Sequence, residues 1–212
     1  MANLFDASTL LGAFATIASA IFIAELTDKD ALLLLALSTR VKSRIAFAAG
    51  STAFAISTAI IVLIGYLLTS VIPVFWIKIA GGVIMICYAT YEYAKMNKTK
   101  EKQEIEEREK KIEKTKKEAF FKLFLTIISM LVVLDLAGDA TEVLTIVFVA
   151  RFQNVLLVFV SCVVALSAAS AVETIIGNRL GKLFSFEKIR IFSLAVFVII
   201  GTIVIVTTVA FH

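Results

Sequence analysis

Residues 24–30 read Ala-Glu-Leu-Thr-Asp-Lys-Asp and place three carboxylates and one ammonium group in the middle of an apolar run. The run is long enough to cross a membrane. At the bilayer centre each ionisable side chain costs roughly 2.5 to 3.5 kcal/mol on insertion scales, so such residues usually face a bundle interior and carry function. The stretch therefore predicts a polar site inside a membrane protein.

A second acidic stretch lies in another apolar run. Residues 134–142 read Leu-Asp-Leu-Ala-Gly-Asp-Ala-Thr-Glu and again hold three carboxylates. Charged residues within membrane segments usually pair with one another across a bundle. Two acidic motifs in two membrane segments therefore predict one shared site.

The composition is that of an integral all-α membrane protein. Hydrophobic residues make up 60% of the chain, and only one proline occurs in 212 residues. A soluble core does not require this much apolar sequence. The formal net charge of +4 comes from basic residues in short loops and one linker. These charges are typical of topology signals, and nucleic acid is not an expected partner.

The apolar pattern predicts six transmembrane helices. The first and fourth runs are about 30 residues long, whereas roughly 20 residues suffice to cross the hydrocarbon. Both runs are therefore expected to be interrupted near their acidic motifs, with Thr27 and Gly138 as break points, so that freed backbone groups line a polar cavity. The predicted spans are residues 8–38, 46–69, 74–93, 120–149, 154–176 and 189–211.

The basic residues predict the orientation. Eighteen of them fall on one predicted side of the membrane and two, Lys78 and Arg151, on the other. The positive-inside rule then places both termini outside and the charged linker, residues 95–119, in the cytoplasm. The linker lacks Gly and Pro and mixes Lys with Glu at helical spacing, which favours a solvated helix. The chain is expected to be a multi-pass protein of the lipid bilayer, located in the cell membrane if the organism is a prokaryote.

The two halves of the chain repeat one another. Asp28 and Asp139 are each followed by an arginine 12 residues later, at an offset of 111 residues, and Gly65 and Gly177 correspond at an offset of 112. Each half holds three spans, and an odd number makes the halves enter the membrane from opposite sides. The predicted organisation is a first repeat over residues 1–94, the linker, and a second inverted repeat over residues 120–212.

These residues resemble a known family, the Golgi-type calcium/manganese:proton exchangers and their microbial relatives within the wider lysine-exporter-like superfamily. That family carries two copies of a Glu-φ-Gly-Asp-(Lys/Arg)-(Thr/Ser) motif. Residues 25–29 resemble the first copy, and residues 138–139, followed by residues 145–147 and 150–151, resemble the second. The resemblance covers nearly the whole chain. It implies a six-span transporter of divalent cations whose motif acids bind the ion, with Glu25, Asp28 and Asp139 carried over directly.

The chain departs from the family motif at four positions. Thr27 replaces Gly, Asp30 replaces Thr, Leu136 replaces the second Glu, and Ala140 replaces a basic residue. Asp135 and Glu142 are candidates to compensate. Asp135, Asp139 and Glu142 are spaced i, i+4 and i+7 and are therefore expected to share one face of the fourth span, and Glu25 and Asp28 are likewise spaced i, i+3.

The predicted site is built from oxygen atoms only. Thr27 and Thr141 add hydroxyl oxygens to the five carboxylates, and Lys29 and Asp30 are expected to modulate the charge. With no His, Cys or Met beside it, such a site favours hard cations such as manganese or calcium. The surplus of carboxylates predicts exchange against protons, because repelling acids must bind protons once a divalent ion leaves. Cation and proton are then the substrates, and neither a cofactor nor enzymatic activity is expected.

The same residues are compatible with other functions. A cation channel uses similar carboxylates in a selectivity ring, and related six-span exporters move cadmium or other metals. An intramembrane aspartyl peptidase also needs two aspartates, but Leu136 interrupts the Gly-x-Gly-Asp pattern. Glu173 is interpreted as an interfacial charge paired with Arg179. A homo-oligomer is compatible with the sequence.

Overall fold

The computed structural model describes residues 7–26, 29–39, 41–94, 107, 110, 120–136, 140–180 and 186–210. These residues form eight helices, and no strand occurs among them. The helices are α1 (Ala7–Glu25), α2 (Lys29–Ser38), α3 (Ser43–Val71), α4 (Val74–Ala94), α5 (Phe120–Asp135), α6 (Ala140–Phe152), α7 (Val155–Leu180) and α8 (Phe186–Ala210).

Both long apolar runs are interrupted at their acidic motifs. Helix α1 ends at Glu25 and α2 begins at Lys29, while α5 ends at Asp135 and α6 begins at Ala140. The predicted interruptions are therefore confirmed. Each helix end leaves backbone N–H or C=O groups without intrahelical partners, which a membrane protein tolerates where they are buried in protein or line a cavity.

Two sequence predictions fall outside the described residues. The break points themselves, Thr27 and Gly138, are not among them. Nor is the linker helix over residues 95–119, apart from residues 107 and 110.

The tight connections have local causes. Pro73 lies between α3 and α4, and the preceding Ile72 is extended, with φ −111° and ψ 130°, as a residue before proline prefers. At the other connection, Asn154 Oδ1 accepts a hydrogen bond from the amide of Leu157 at 3.0 Å. This side chain caps the N-terminus of α7.

Helix α3 is apolar outside and small or polar inside. The large side chains of Ile56, Ile60, Leu63 and Leu67 are exposed along one face, and they recur at helical spacing. Its buried face holds mainly small and hydroxyl residues, such as Ala53, Ser57 and Gly65. This distribution suits a helix that turns apolar groups toward lipid and small groups toward neighbouring helices.

Four helices within the described residues are long and apolar enough to cross a membrane, namely Ser8–Glu25, Ser43–Val71, Val74–Tyr91 and Val155–Gly177. Two shorter apolar helices, Phe121–Val133 and Val198–Ala210, lie in the fourth and sixth predicted spans.

Helices of each half pack mainly against helices of the other half. The long helices α3 and α7 contact each other, as do α4 and α8. The broken pair α1 and α2 packs against α7, and the broken pair α5 and α6 packs against α3. The interrupted helices of each half therefore pack against the long helix of the other half.

Individual contacts show the same packing of one half against the other. A Cβ atom on Gly65 would meet Val149 Cβ at 3.3 Å and Ile146 Cα at 3.4 Å. A Cβ atom on the corresponding Gly177 would meet Ser38 Oγ and the Leu35 carbonyl, and these two residues precede Val149 and Ile146 by 111 positions each. Equivalent glycines thus receive equivalent pairs of residues from the other half.

Candidate functional site

Acidic side chains are buried at the ends of the interrupted helices. Glu25, the last residue of α1, is 1% exposed, and Asp135, the last residue of α5, is 6% exposed. Glu142 and Thr141 are buried in the first turn of α6. These side chains therefore face the protein interior, as their positions within apolar runs predict.

Asp135 is held by a hydroxyl from another helix. Ser57 Oγ, fully buried in α3, donates a hydrogen bond to Asp135 Oδ2. The same hydroxyl lies 3.1 Å from the carbonyl oxygen of Ala53, but its single proton favours the carboxylate, because hydrogen bonds to charged acceptors are stronger. Ser57 was not predicted from the sequence. The available signal was a pair of adjacent hydroxyl residues, Ser57 and Thr58, in the middle of an apolar span.

Helix α6 carries charges that suit its dipole. Glu142 lies in the first turn and Arg151 in the last turn. A carboxylate near a helix N-terminus and a cation near its C-terminus are both stabilising. The α6 N-terminus therefore helps to keep the Glu142 carboxylate inside the protein.

The described residues include only part of the predicted site. Thr27, Asp28 and Asp139 lie outside them, and the side chains of Lys29 and Asp30, at the start of α2, are not described either. Within the described part of the chain, no group of three or more His, Cys, Asp or Glu side chains is arranged to hold a metal ion.

The expectation that Asp135 and Glu142 share one continuous helical face is wrong. Helix α5 ends at Asp135, and a new helix begins at Ala140. Helical spacing applies only along an unbroken helix. The structure instead places the two carboxylates at the end of one helix and the start of the next.

Glu173 is more deeply buried than its interpretation as an interfacial charge suggests, and its pairing with Arg179 stays a prediction. Its side chain is only 3% exposed in α7, and neither carboxylate oxygen has a hydrogen-bond partner among the described residues. The side chain of its expected partner, Arg179, lies outside the description. Hydrophobic periodicity did not predict this burial, because α7 is apolar around most of its circumference.

A positively charged cavity lies away from these acids. It has a volume of about 270 Å³ and opens between α4, α6 and α8. Two basic side chains give it positive charge, so it would repel a divalent cation. Its lining residues are Lys78, Val147, Arg151, Val204, Thr207 and Thr208.

The chain has apolar helices of membrane length, and two of its apolar runs are broken where carboxylates are buried. These are features of integral membrane transporters. The family model described as "Divalent cation/proton antiporter GDT1" matches residues 13–99 and 123–210. The chain belongs to this family of divalent cation/proton antiporters and is an integral membrane protein. Residues 100–122, which include most of the charged linker, lie between the two matched segments. No curated protein and no solved structure matches the chain significantly.

Proposed function

We propose that this chain is a secondary transporter that exchanges manganese or calcium ions for protons. The observation that carries the proposal is the coincidence of the two helix breaks with the two acidic motifs in a member of an antiporter family. Interrupted helices are the usual source of ion sites in secondary transporters. The transported ion is a substrate, and the proposed reaction needs no cofactor.

The proposed cation site lies between the two pairs of broken helices. Its ligands are oxygen atoms, which hard divalent cations prefer. The C-terminal carbonyl groups of α1 and α5 add to this set, since helix ends leave their last carbonyls available. Lys29 and Asp30 modulate the charge of the site. The proposed ligands are Glu25, Asp28, Asp135, Asp139 and Glu142, with the hydroxyls of Thr27 and Thr141.

Proton coupling follows from the number of acids. Several carboxylates in a partly desolvated cavity repel one another, so they cannot all remain ionised after a divalent cation leaves. Protons take the place of the ion. When the site opens to the other side, an arriving cation displaces those protons, so one gradient drives the other.

Opposed access is proposed to arise from two inverted repeats, residues 1–94 and 120–212. The exchange of packing partners between the halves supports this organisation. Rocking of one half against the other then exposes the midplane site alternately. The charge distribution supports termini outside and a cytoplasmic linker.

Reconstitution tests this proposal. The purified chain is placed in liposomes with a pH reporter inside, and manganese, calcium, magnesium, cadmium or zinc is added outside. We expect manganese or calcium to enter and the lumen to become alkaline as protons leave. Entry of cadmium or zinc in preference to both would contradict the assigned substrate, and entry without proton movement would favour a channel.

Two substitutions link this transport to the proposed site. Asp28→Asn and Asp139→Asn should each reduce coupled flux at least tenfold while the protein remains folded and inserted, because each removes ligand charge and also relieves repulsion. Circular dichroism and size-exclusion profiles provide the folding control. Wild-type flux in either folded variant would remove that aspartate from the ligand set.

A further inference from the structure

We propose that Glu173 is a proton-binding site separate from the cation site, located where α7 packs against α2 and α3. The inference rests on the proposed exchange function and adds to it a second group that binds a proton. Nothing in the paired acidic motifs requires this residue, since it lies on the middle helix of the second repeat and its counterpart in the first repeat is Ile61.

Two contacts place Glu173 along α7. Leu34 of α2 and Ser170 of α7 both pack on Gly50 of α3, since a Cβ atom there would lie 2.8 Å from Leu34 Cδ2 and 3.4 Å from Ser170 Oγ. Farther along α7, Gly177 packs against Leu35 and Ser38 of α2. Ser170, Glu173 and Gly177 are spaced i, i+3 and i+7 and therefore share one helical face. Glu173 thus lies between the two contacts, about 4.5 Å along the axis from Ser170 and about 6 Å from Gly177.

The hydroxyl groups nearest to Glu173 along α7, and that of Ser38 on α2, already donate their protons. The hydroxyls of Ser170, Thr174 and Ser38 donate to carbonyl oxygens of their own helices, Leu166, Ser170 and Leu35, at 2.7 to 2.9 Å. Their protons are thereby engaged, whereas their lone pairs stay available. Such hydroxyls suit a protonated carboxylic acid, which donates a hydrogen bond, better than a carboxylate, which only accepts.

Burial favours the same protonation state. An ionised carboxylate taken out of water without a partner is very costly, so such a group binds a proton instead. The charged groups on the described parts of the helices that pack against α7 are Glu25 at the end of α1, Glu142 and Arg151 at the two ends of α6, and Arg44 at the exposed start of α3, which Lys42 precedes. None of these described groups forms a hydrogen bond with Glu173. On α2, Lys29 and Asp30 occupy the first turn, and their side chains lie outside the description.

The tight packing at this position favours a proton over a metal ion. Gly177 has no space for even a Cβ atom beside Ser38 and Leu35, whereas calcium takes six to eight oxygen ligands. Glu173 lies on α7, whereas the proposed cation ligands lie at the two helix breaks, so a proton on Glu173 is held by a different helix from the cation.

Glu173→Gln tests the inference, because the amide imitates the shape of the protonated acid but cannot release its proton. Two assays are compared in liposomes: net manganese uptake driven by a pH gradient, and exchange of labelled manganese at equal concentrations and equal pH on both sides. We expect the variant to lose net uptake at least tenfold and to retain exchange, which requires no net proton movement. Ser161→Ala, a buried change on the same helix, should leave both activities at the wild-type level.

The outcomes separate this inference from the function on which it rests. If the wild type shows no uptake driven by the pH gradient, the proposed function fails. If the wild type transports and Glu173→Gln retains net uptake, the proton site is overturned while the function stands. Loss of both net uptake and exchange in the folded variant also overturns it, since that result assigns Glu173 to cation binding or to structure.

Chemical labelling provides a measurement that needs no variant to fold. Dicyclohexylcarbodiimide is an apolar reagent that modifies protonated carboxylic acids in apolar surroundings. We expect mass spectrometry of the treated wild-type protein to locate the adduct on the peptide that contains Glu173. Reaction at other carboxyl groups but not at Glu173 would overturn the assignment.

Discussion

The hydrogen bond from Ser57 to Asp135 ties the end of α5 to the middle of α3. Ser57→Ala removes the donor and leaves the buried carboxylate without it. We expect a loss of about 1.5 to 3 kcal/mol in the free energy of unfolding, the usual contribution of a hydrogen bond to a charged group, together with weaker cation binding. Thermal unfolding in detergent and the concentration dependence of flux measure the two effects.

Ser161→Ala is the matched control for this change. Ser161 is also fully buried, but its hydroxyl donates to the Leu157 carbonyl of its own helix at 2.7 Å. We expect its removal to cost much less, because that carbonyl keeps its role in the helix. Equal destabilisation by the two substitutions would show that the Asp135 contact contributes nothing specific.

Single residues were only partly predictable from the sequence. Glu25, Asp135 and Glu142 were expected to be buried because an apolar run leaves a charge no favourable alternative, and they are buried. Ser57 and Glu173 were not recognised as buried polar groups that face neighbouring helices. When a helix is apolar on nearly all sides, its periodicity does not show which face meets other helices. Only the packing of α3 and α7 supplies that information.

At the scale of helices, the prediction of two broken helices followed from the length of the apolar runs. A run of about 30 apolar residues is too long for a single straight crossing, and both such runs are broken in the structure. The predicted carboxylate face failed for the same reason. A break between Asp135 and Ala140 ends the helical register on which that face depended.

Close packing of α7 on α2 gives a prediction at this scale. Gly177→Ala introduces a methyl group that meets Ser38 Oγ and the backbone oxygen of Leu35. Because a backbone atom cannot rotate away, the helices must separate, and we expect destabilisation of about 1 to 3 kcal/mol, as for overpacked cores. Thermal unfolding of the purified variant measures the change.

Gly12 provides the comparison for Gly177. A Cβ atom on Gly12 would have no atom within 4 Å, and alanine is the better helix former. Gly12→Ala should therefore leave the unfolding temperature unchanged or slightly raised. A Gly177→Ala protein as stable as the Gly12→Ala protein would contradict the described α2–α7 contact.

Over the whole molecule, the internal repeat is the feature that sequence and packing share. The offsets that align the acidic motifs and glycines also align the contacts that Gly65 and Gly177 make in the other half. The sequence alone did not predict which helices touch. Exchange of partners between α3 and α7 follows from packing two similar halves around a common axis.

Membrane orientation is predicted from charge and is testable by labelling. Exposed Cys87 is first replaced by serine, and a single cysteine is then introduced as Asn97→Cys or Ala2→Cys. Because the basic residues lie so unevenly, we expect Asn97→Cys to react with an impermeant maleimide from the cytoplasmic side and Ala2→Cys from the outside. Labelling of both from the same side would contradict an odd number of spans in the first half.

In the proposed exchanger, a cation gradient and a proton gradient drive one another. This coupling is tested most directly in liposomes loaded with manganese or calcium, with the membrane voltage clamped by an ionophore and a pH gradient imposed in either direction. We expect the cation to move toward the more acidic compartment and the flux to reverse when the gradient is reversed. Cation flux that ignores the pH gradient would contradict this coupling.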